Sequence, residues 1–586
     1  MSTGANEWFK PHRARDRLVG KHTALINRLR AILLERGNTV AQGRANSALG
    51  GVIFYNQWAF WFGIVATTAG VVMHLPMYIR GRAMGYHLAG MPMDTPMLIG
   101  MILIIIGFGS SFYGLYPPSR EASGTSAARI RVRALDETRI TIAHIALLVV
   151  MAIALTIDIM KTTTLSFVAP GMAQEYGLRS PLNPTGVMSI TYLPLSGITG
   201  TVLGSFAAGW LGDRMGRRAT MLFGGITFIG TSICGAMPSY SWNLLMCFLM
   251  GLGVGGMLPI ANALMADTIP ARHRGWLMVL IGGSGAAAYI VTGWLASELV
   301  PQFSWRILWL IGAPTGILLI LLNRWIPESP RFLLANGREA EARAVMERYG
   351  AKIIEETSEL ELESEVRSHW SALIAKGLVS QTSVITLLGI GVGLILFGFN
   401  LWIPTNLLKL GFSEVTADRL VRDAAVIGFP FTLLAALMYG FWSGKKTMIL
   451  LTALAAAAMF IFAVSGDRVV ANRPLLYVLL VMPIWGVNTV TALLTVYSSE
   501  VYPTHIRSHG SALAAGASKA GGVLMIGLVA LGIAAPSIAT TTLVGGIPMM
   551  LAAIGILFFG VETRNRSLEE ITAAKFKVAA APVQSS

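Results

Sequence analysis

Three ionisable residues stand where ionisable residues are costly. Asp158 and Lys161 lie inside the apolar run 140–168, and Lys519 lies about ten residues into the run 509–533, roughly 15 Å deep at a helical rise of 1.5 Å per residue. An unpaired charge at such a depth costs at least about 2.5–3.5 kcal/mol on insertion scales, so intramembrane ionisable groups mark a pathway or a pair. At spacing i, i+3, Asp158 and Lys161 share one helical face and can pair. Burial and a neighbouring ammonium act on a carboxyl in opposite senses, so its protonation can follow substrate or conformation. The structural alternative is an ion pair facing other helices. A lysine at the depth of Lys519 suits an anionic solute such as a carboxylate, and its structural alternative is a pair with Asp158. Asn262, Asn400 and Asn488 add amides, and Tyr192, Tyr289 and Trp485 add rings. Amides orient small ligands and rings stack on them, although each also serves as an ordinary packing contact.

These residues must be held by elements that cross a bilayer. Of 586 residues, 54% are hydrophobic and only 13% charged, against about 25% charged in a soluble domain. Mean hydropathy is +0.63. Disordered, collagenous, disulfide-stapled and soluble multidomain chains are excluded. Runs of about 20 apolar residues read as membrane helices. They fall near 51–78, 95–117, 140–168, 186–210, 219–237, 242–266, 275–299, 305–326, 383–407, 424–442, 447–465, 474–499, 509–533 and 541–560. Cys234 and Cys247 both fall inside such runs, so neither a disulfide framework nor a metal site is expected. The first 50 residues lack an apolar core with a flanking cleavage site, so no cleavable leader is expected.

The net charge of +15 is distributed as topology requires. Basic residues crowd the tail 1–50, the gap with Arg129, Arg131, Arg133 and Arg139, and alternate gaps thereafter, which places both termini in the cytoplasm. The gap 80–94, with Arg80 and Arg82, departs from this pattern in tone. Basic residues between apolar runs argue against a nucleic-acid binder, which clusters them on polar domains. Residues 22–36 put Leu25, Leu29, Ile32 and Leu33 on one face, a candidate interfacial helix on anionic lipid.

The chain repeats itself. Asp267, Pro270 and Arg274 match Glu500, Pro503 and Arg507 in spacing, with the acids 233 residues apart. Glu328 and Glu562 are 234 apart, and Gly216-Arg-Arg and Gly444-Lys-Lys are 228 apart. Residues 140–560 therefore read as two six-helix halves, and 51–117 as an addition. Parallel repeats of this kind place a solute site between the halves near the midplane.

Gly209-Trp-Leu-Gly-Asp213-Arg214-Met-Gly216-Arg217-Arg218 resembles the signature loop of the major facilitator superfamily. Pro327-Glu328-Ser329-Pro330-Arg331, Glu500-Val-Tyr-Pro503-Thr-His-Ile-Arg507 and Val561-Glu562-Thr563-Arg564 resemble motifs of its sugar-porter-like branch. The stretch Ser166-Phe-Val-Ala-Pro170 is most similar to the first-helix end of aromatic-acid/proton symporters. Those carry Asp-x-x-Asp twelve and nine residues before the proline, where this chain has Asp158 and Lys161. Cys247 stands where the branch has Arg before Gly251, Gly253 and Gly255, and Lys519 stands at the branch's basic residue before Gly-Gly.

The resemblance implies an all-α polytopic protein with twelve helices in two bundles, here preceded by two extra transmembrane helices. The expected organisation is a basic tail 1–50, the extra helices and linker 51–139, a bundle 140–326, a cytoplasmic loop 327–382, a bundle 383–560 and a tail 561–586. It implies proton-coupled alternating-access transport of a small organic anion, aromatic or carboxylate, by a monomer in the cell membrane, with no cofactor, no enzymatic step and no nucleic acid. Two alternatives stay open: an anion exchanger or efflux antiporter, and a non-transporting sensor on the same fold. Asp213, Arg214, Arg217, Arg218, Asp267, Arg274, Glu328, Arg331, Glu500, Arg507 and Glu562 form the expected cytoplasmic gate, since acids add little to topology and their pairing with arginine supplies two discrete states. Gly251, Gly253 and Gly255 form a small-residue face for close helix approach.

Overall fold

A computed structural model describes residues 52, 54–117, 135, 138–351, 373–374, 378–502, 506–531 and 538–563. The basic tail 1–50 with its candidate interfacial helix, Arg129, Arg131, Arg133, Pro503, the Arg507 side chain and the tail from 564 lie outside the described residues.

The described chain is helical and runs as fourteen long helices. We number them α1 Gln57–Met84, α2 Thr95–Leu115, α3 Ile142–Glu175, α4 Tyr192–Met215, α5 Arg217–Ala236, α6 Tyr240–Thr268, α7 Ala271–Phe303 and α8 Arg306–Trp325. The second half follows as α9 Val379–Lys409, α10 Glu414–Trp442, α11 Gly444–Ser465, α12 Arg473–Val501, α13 Arg507–Ala530 and α14 Ile538–Phe559. Thirteen are long and apolar enough to cross a membrane. The other, α4, is 24 residues long but carries glycine, serine and threonine along its length. It starts at Tyr192 rather than near 186, because Arg179 to Ser189 are held in a bridged loop that delays the helix. Two short helices, Pro330–Ala335 and Glu339–Arg348, lie between the halves, and the second falls on the charged helical pattern from Arg338 to Tyr349.

Packing follows the repeat. In the first half α4 runs along α6 and α5 along α8; in the second, α9 runs along α13 and α11 along α14. The halves meet through α7 against α10 and α12, and through α4 against α13. The glycine face of α6 lets α4 come close: a Cβ on Gly251 would stand 2.2 Å from the Gly197 carbonyl oxygen, and one on Gly255 2.2 Å from that of Thr201. A side chain at either position would collide with the α4 backbone, so glycine permits a close approach that gains dispersion contacts.

Four long helices are interrupted where the halves face each other, α7 at Ser284–Gly285 among them. In α9 the α-helix stops at Gly398, a 3₁₀ turn covers Asn400–Trp402, and Pro404 begins the next segment. In α12, Met482–Gly486 is π-helical around Pro483, whose missing N–H relaxes the regular ladder. In α10, Met438–Trp442 is also π-helical.

Candidate functional site

Asp158 sits mid-way along α3 and is 3% exposed. Its Oδ1 has no hydrogen-bond partner, and it makes no ion pair within 4 Å among the described residues. The expected i, i+3 pair is not formed because Lys161 turns into the first bundle. Its ammonium lies 5.2 Å from the Phe228 ring centroid, against Gly312 of α8. Lys519 and Lys161 are both within electrostatic reach of the Asp158 carboxyl. The Lys519 ammonium itself crosses the interface between halves, donating to the Ser205 hydroxyl and to the Thr201 carbonyl at 3.5 Å, both on α4. Neither alternative pairing is therefore present: one carboxylate and two ammonium groups stand near one another without neutralising contact.

Beside them the interrupted helices bring amides together. The Tyr289 hydroxyl on α7 stands against the side chains of Asn400 on α9 and Asn488 on α12. Asn400 Nδ2 donates to the Pro483 carbonyl at 2.7 Å, and Asn488 Nδ2 to the Ile484 carbonyl at 2.6 Å, so both amides read the π-helical stretch of α12. Trp485, in that same stretch, donates from Nε1 to Thr432 Oγ1 at 2.9 Å and is thereby fixed in orientation. Tyr289, Asn400 and Asn488 thus converge on the junction of α7, α9 and α12, while the Trp485 ring packs onto α10 against Thr432 and Phe431. Tyr192 stands apart at the start of α4 and is 38% exposed, and Asn262 is half-buried on α6.

Sequence reasoning missed three residues here. Asn400 Oδ1, Trp402 Nε1, Thr405 Oγ1 and Asn406 Nδ2 are all buried without a hydrogen-bond partner, four polar atoms in seven residues of α9. Buried polar atoms are nearly always bonded, so such a concentration marks atoms that a polar solute or water satisfies. The available signal was Pro404 behind a polar residue in an apolar run, which reads equally well as a simple kink.

The charged edge forms two clusters, one per half. Arg217 bonds Asp267, Ser329 Oγ donates to Asp267 at 2.7 Å, and Arg331 approaches the same carboxylate at 3.5 Å. Glu328 accepts the backbone N–H groups of Arg217 at 3.0 Å and Arg218 at 3.3 Å, capping the N-terminus of α5 where the helix dipole favours an anion. Gly216 permits this: its φ is +98°, and a Cβ there would stand 2.5 Å from Glu328 Oε2. Arg218 donates to Asn323 at 2.8 Å. Glu562 repeats the cap in the second half, accepting the Gly444 N–H at 3.0 Å and the Ser443 hydroxyl at the start of α11. Glu500 accepts from the Tyr439 hydroxyl at 2.6 Å and lies against Gly275, across the interface in α7. Arg274 donates to the Ile269 carbonyl at 3.1 Å, Asp213 is exposed, and Arg214 donates to Tyr116 of α2 at 2.7 Å. Burial moves the Glu328 carboxyl above its ordinary value, against the pull of its N–H donors and Arg218.

Known proteins fit this geometry. Residues 149–574 match the family described as sugar (and other) transporter. A niacin transporter of Acinetobacter baylyi is 26% identical over 452 residues, covering 73% of this chain and 96% of that protein. A 4-hydroxybenzoate transporter of the same organism is 28% identical over 395 residues, covering 64% of this chain and 82% of that protein. Among solved structures, a proton:xylose symporter bound to 6-bromo-6-deoxy-D-glucose superposes with a TM-score of 0.59 at 18% identity, over 74% of this chain and 99% of that one. With its two-half helical architecture and its family match, the chain belongs to the sugar (and other) transporter family and is a multi-pass membrane transporter of the major facilitator fold.

Proposed function

We propose that this transporter carries a small aromatic or carboxylate anion, coupled to protons, by alternating access between its two halves. The observation that carries this reading is Asp158: a buried carboxyl whose Oδ1 has no bonded partner, within electrostatic reach of two lysines, on the helix that packs against α7 and the break in α9. Lys519 supplies the cation for the solute's negative charge, and Tyr289, Asn400, Asn488 and Trp485 supply the hydrogen bonds and ring surface for its body. Asp158 is the group that exchanges a proton, and the two charged clusters at the helix ends change partners as the halves rock. The names of the niacin and 4-hydroxybenzoate carriers support an aromatic acid as the solute class. The protein acts as a monomer in the cell membrane, with both termini in the cytoplasm.

One observation favours a second reading. Lys161 puts a fixed cation where aromatic-acid symporters resemble one another in carrying a second acid, which suits anion exchange. Reconstituted liposomes separate the two. Uptake of radiolabelled nicotinate or 4-hydroxybenzoate driven by an inward proton gradient supports the symporter. Counterflow of either acid that ignores the gradient supports the exchanger, and failure of both acids to move or to compete for binding removes the aromatic-acid reading.

A further inference from the structure

The two added helices precede the region matched by the family, yet they touch the first bundle at both of its ends. At one end, the turn between α1 and α2 docks onto Glu175, the last residue of α3. Leu88 and Ala89 donate their backbone N–H groups to Glu175 Oε1 at 2.8 and 3.1 Å. Arg306 Nη2, at the start of α8, reaches the same oxygen at 2.6 Å, while Trp305 Nε1 and Arg306 Nε occupy Oε2 at 2.9 and 3.2 Å. The Glu175 and Arg306 side chains are 3% and 0% exposed, so this is a buried ion pair whose acceptor capacity is filled partly by the turn. Around it, Gly90 N–H donates to the Pro238 carbonyl at 3.0 Å and the Tyr78 hydroxyl to the Phe303 carbonyl at 2.7 Å. The turn and the last part of α1 therefore bond the ends of α3 and α7 and the α5–α6 connection, beside the start of α8.

At the other end, the Tyr116 hydroxyl accepts from Arg214 at 2.7 Å, and its ring stacks on Trp210 at 6.0 Å. Between the ends, Phe108 and Ile104 of α2 press on Gly230 of α5. The pair is itself tightly built, with Gly63 and Gly70 of α1 against Gly107 and Gly100 of α2 at backbone contact. A pair held together this closely moves as one piece.

We propose that α1 and α2 are a splint on the first bundle: they tie the ends of α3, α7 and α8 around Glu175 and hold the opposite end of α4 through Arg214, so that the bundle moves as one body. The unassigned function of the added helices is thus to stop the first bundle from bending during transport. It is independent of the solute.

Hydrogen–deuterium exchange on the full chain in nanodiscs tests this. Ala89→Pro deletes one N–H donor to Glu175, and Tyr78→Phe deletes only the hydroxyl bonded to Phe303. Each should speed amide exchange at 171–176 and 303–308 by about tenfold, the worth of one net hydrogen bond in a local opening. Tyr116→Phe should raise exchange at 212–218 and leave the Glu175 end unchanged. Tyr78→Phe keeps the test open if the proline variant does not fold. Exchange rates at 303–308 that match the parent in Tyr78→Phe, together with unchanged rates at 212–218 in Tyr116→Phe, overturn the splint.

Discussion

Asp158 is distinguished by what it lacks. A buried carboxylate normally has a cation or several N–H donors, yet its Oδ1 has none, and both nearby ammonium groups are engaged elsewhere. Such a group is held ready to take a proton or a transient partner. Asp158→Asn keeps the shape and removes the charge. It should reduce accumulation of the transported acid under a proton gradient to the equilibrium level, while counterflow down a solute gradient continues; accumulation at the parent level would remove Asp158 from coupling. Lys519 has a different task. If it pairs with the solute's carboxylate, Lys519→Met forfeits a charged hydrogen bond worth about 1.5–3 kcal/mol, which raises the half-saturation concentration roughly ten- to hundredfold. An unchanged value would leave Lys519 as a tie between α4 and α13 alone.

Helix ends and helix breaks turn these residues into a mechanism. The repeated caps are the clearest case: Glu328 caps the N-terminus of α5 through two backbone N–H groups, and Glu562 caps that of α11 through one backbone N–H and the Ser443 hydroxyl. Glu328 also titrates. Its carboxyl is raised above the ordinary value of 4.5 because burial outweighs its donors. The folded protein then holds this proton more tightly than the unfolded chain does. Its contribution is complete below the ordinary value and is lost as pH rises through the raised one. Glu328→Gln carries no titrating charge, so its Tm should fall less steeply than the parent's as pH rises above the ordinary carboxyl value. Equal slopes would exclude Glu328 as a titrating group. The repetition of Glu328 and Glu562 was legible in the motif spacing, as were the spans, because apolar runs of membrane length have few other readings; that both acids cap helix N-termini was not, since their spacing reads equally well as pairing with arginine. The start of α4 was not legible, since a polar loop held by backbone bonds looks like the continuation of a moderately apolar run. Trp402, Thr405 and Asn406 were not legible either. Their significance lies in being buried without partners, which only the packing of α9 decides.

For the whole molecule, charge and helix parity bear on orientation. Two added helices return the chain to the side it started from, so the twelve that follow keep the orientation that their own basic gaps demand. The gap 80–94 carries Arg80, which pairs with Asp94 at 3.3 Å, and Arg82, yet it holds fewer basic residues than the gap that follows. The Glu175–Arg306 pair at the same end could not be read from the sequence, since its members are 131 residues apart and sit at helix ends. Orientation is open to direct measurement, because the native cysteines, Cys234 and Cys247, are both buried and give a quiet background. His87 and Asn336 are exposed, on the α1–α2 turn and in the connection between halves. A membrane-impermeant maleimide should label His87→Cys in intact cells, and Asn336→Cys only after permeabilisation. The reverse pattern would invert the molecule and move the Arg217–Asp267 cluster to the outer face. It would also make the basic gaps violate the rule that orients nearly all such chains, so the two sites together decide which membrane face the charged clusters guard.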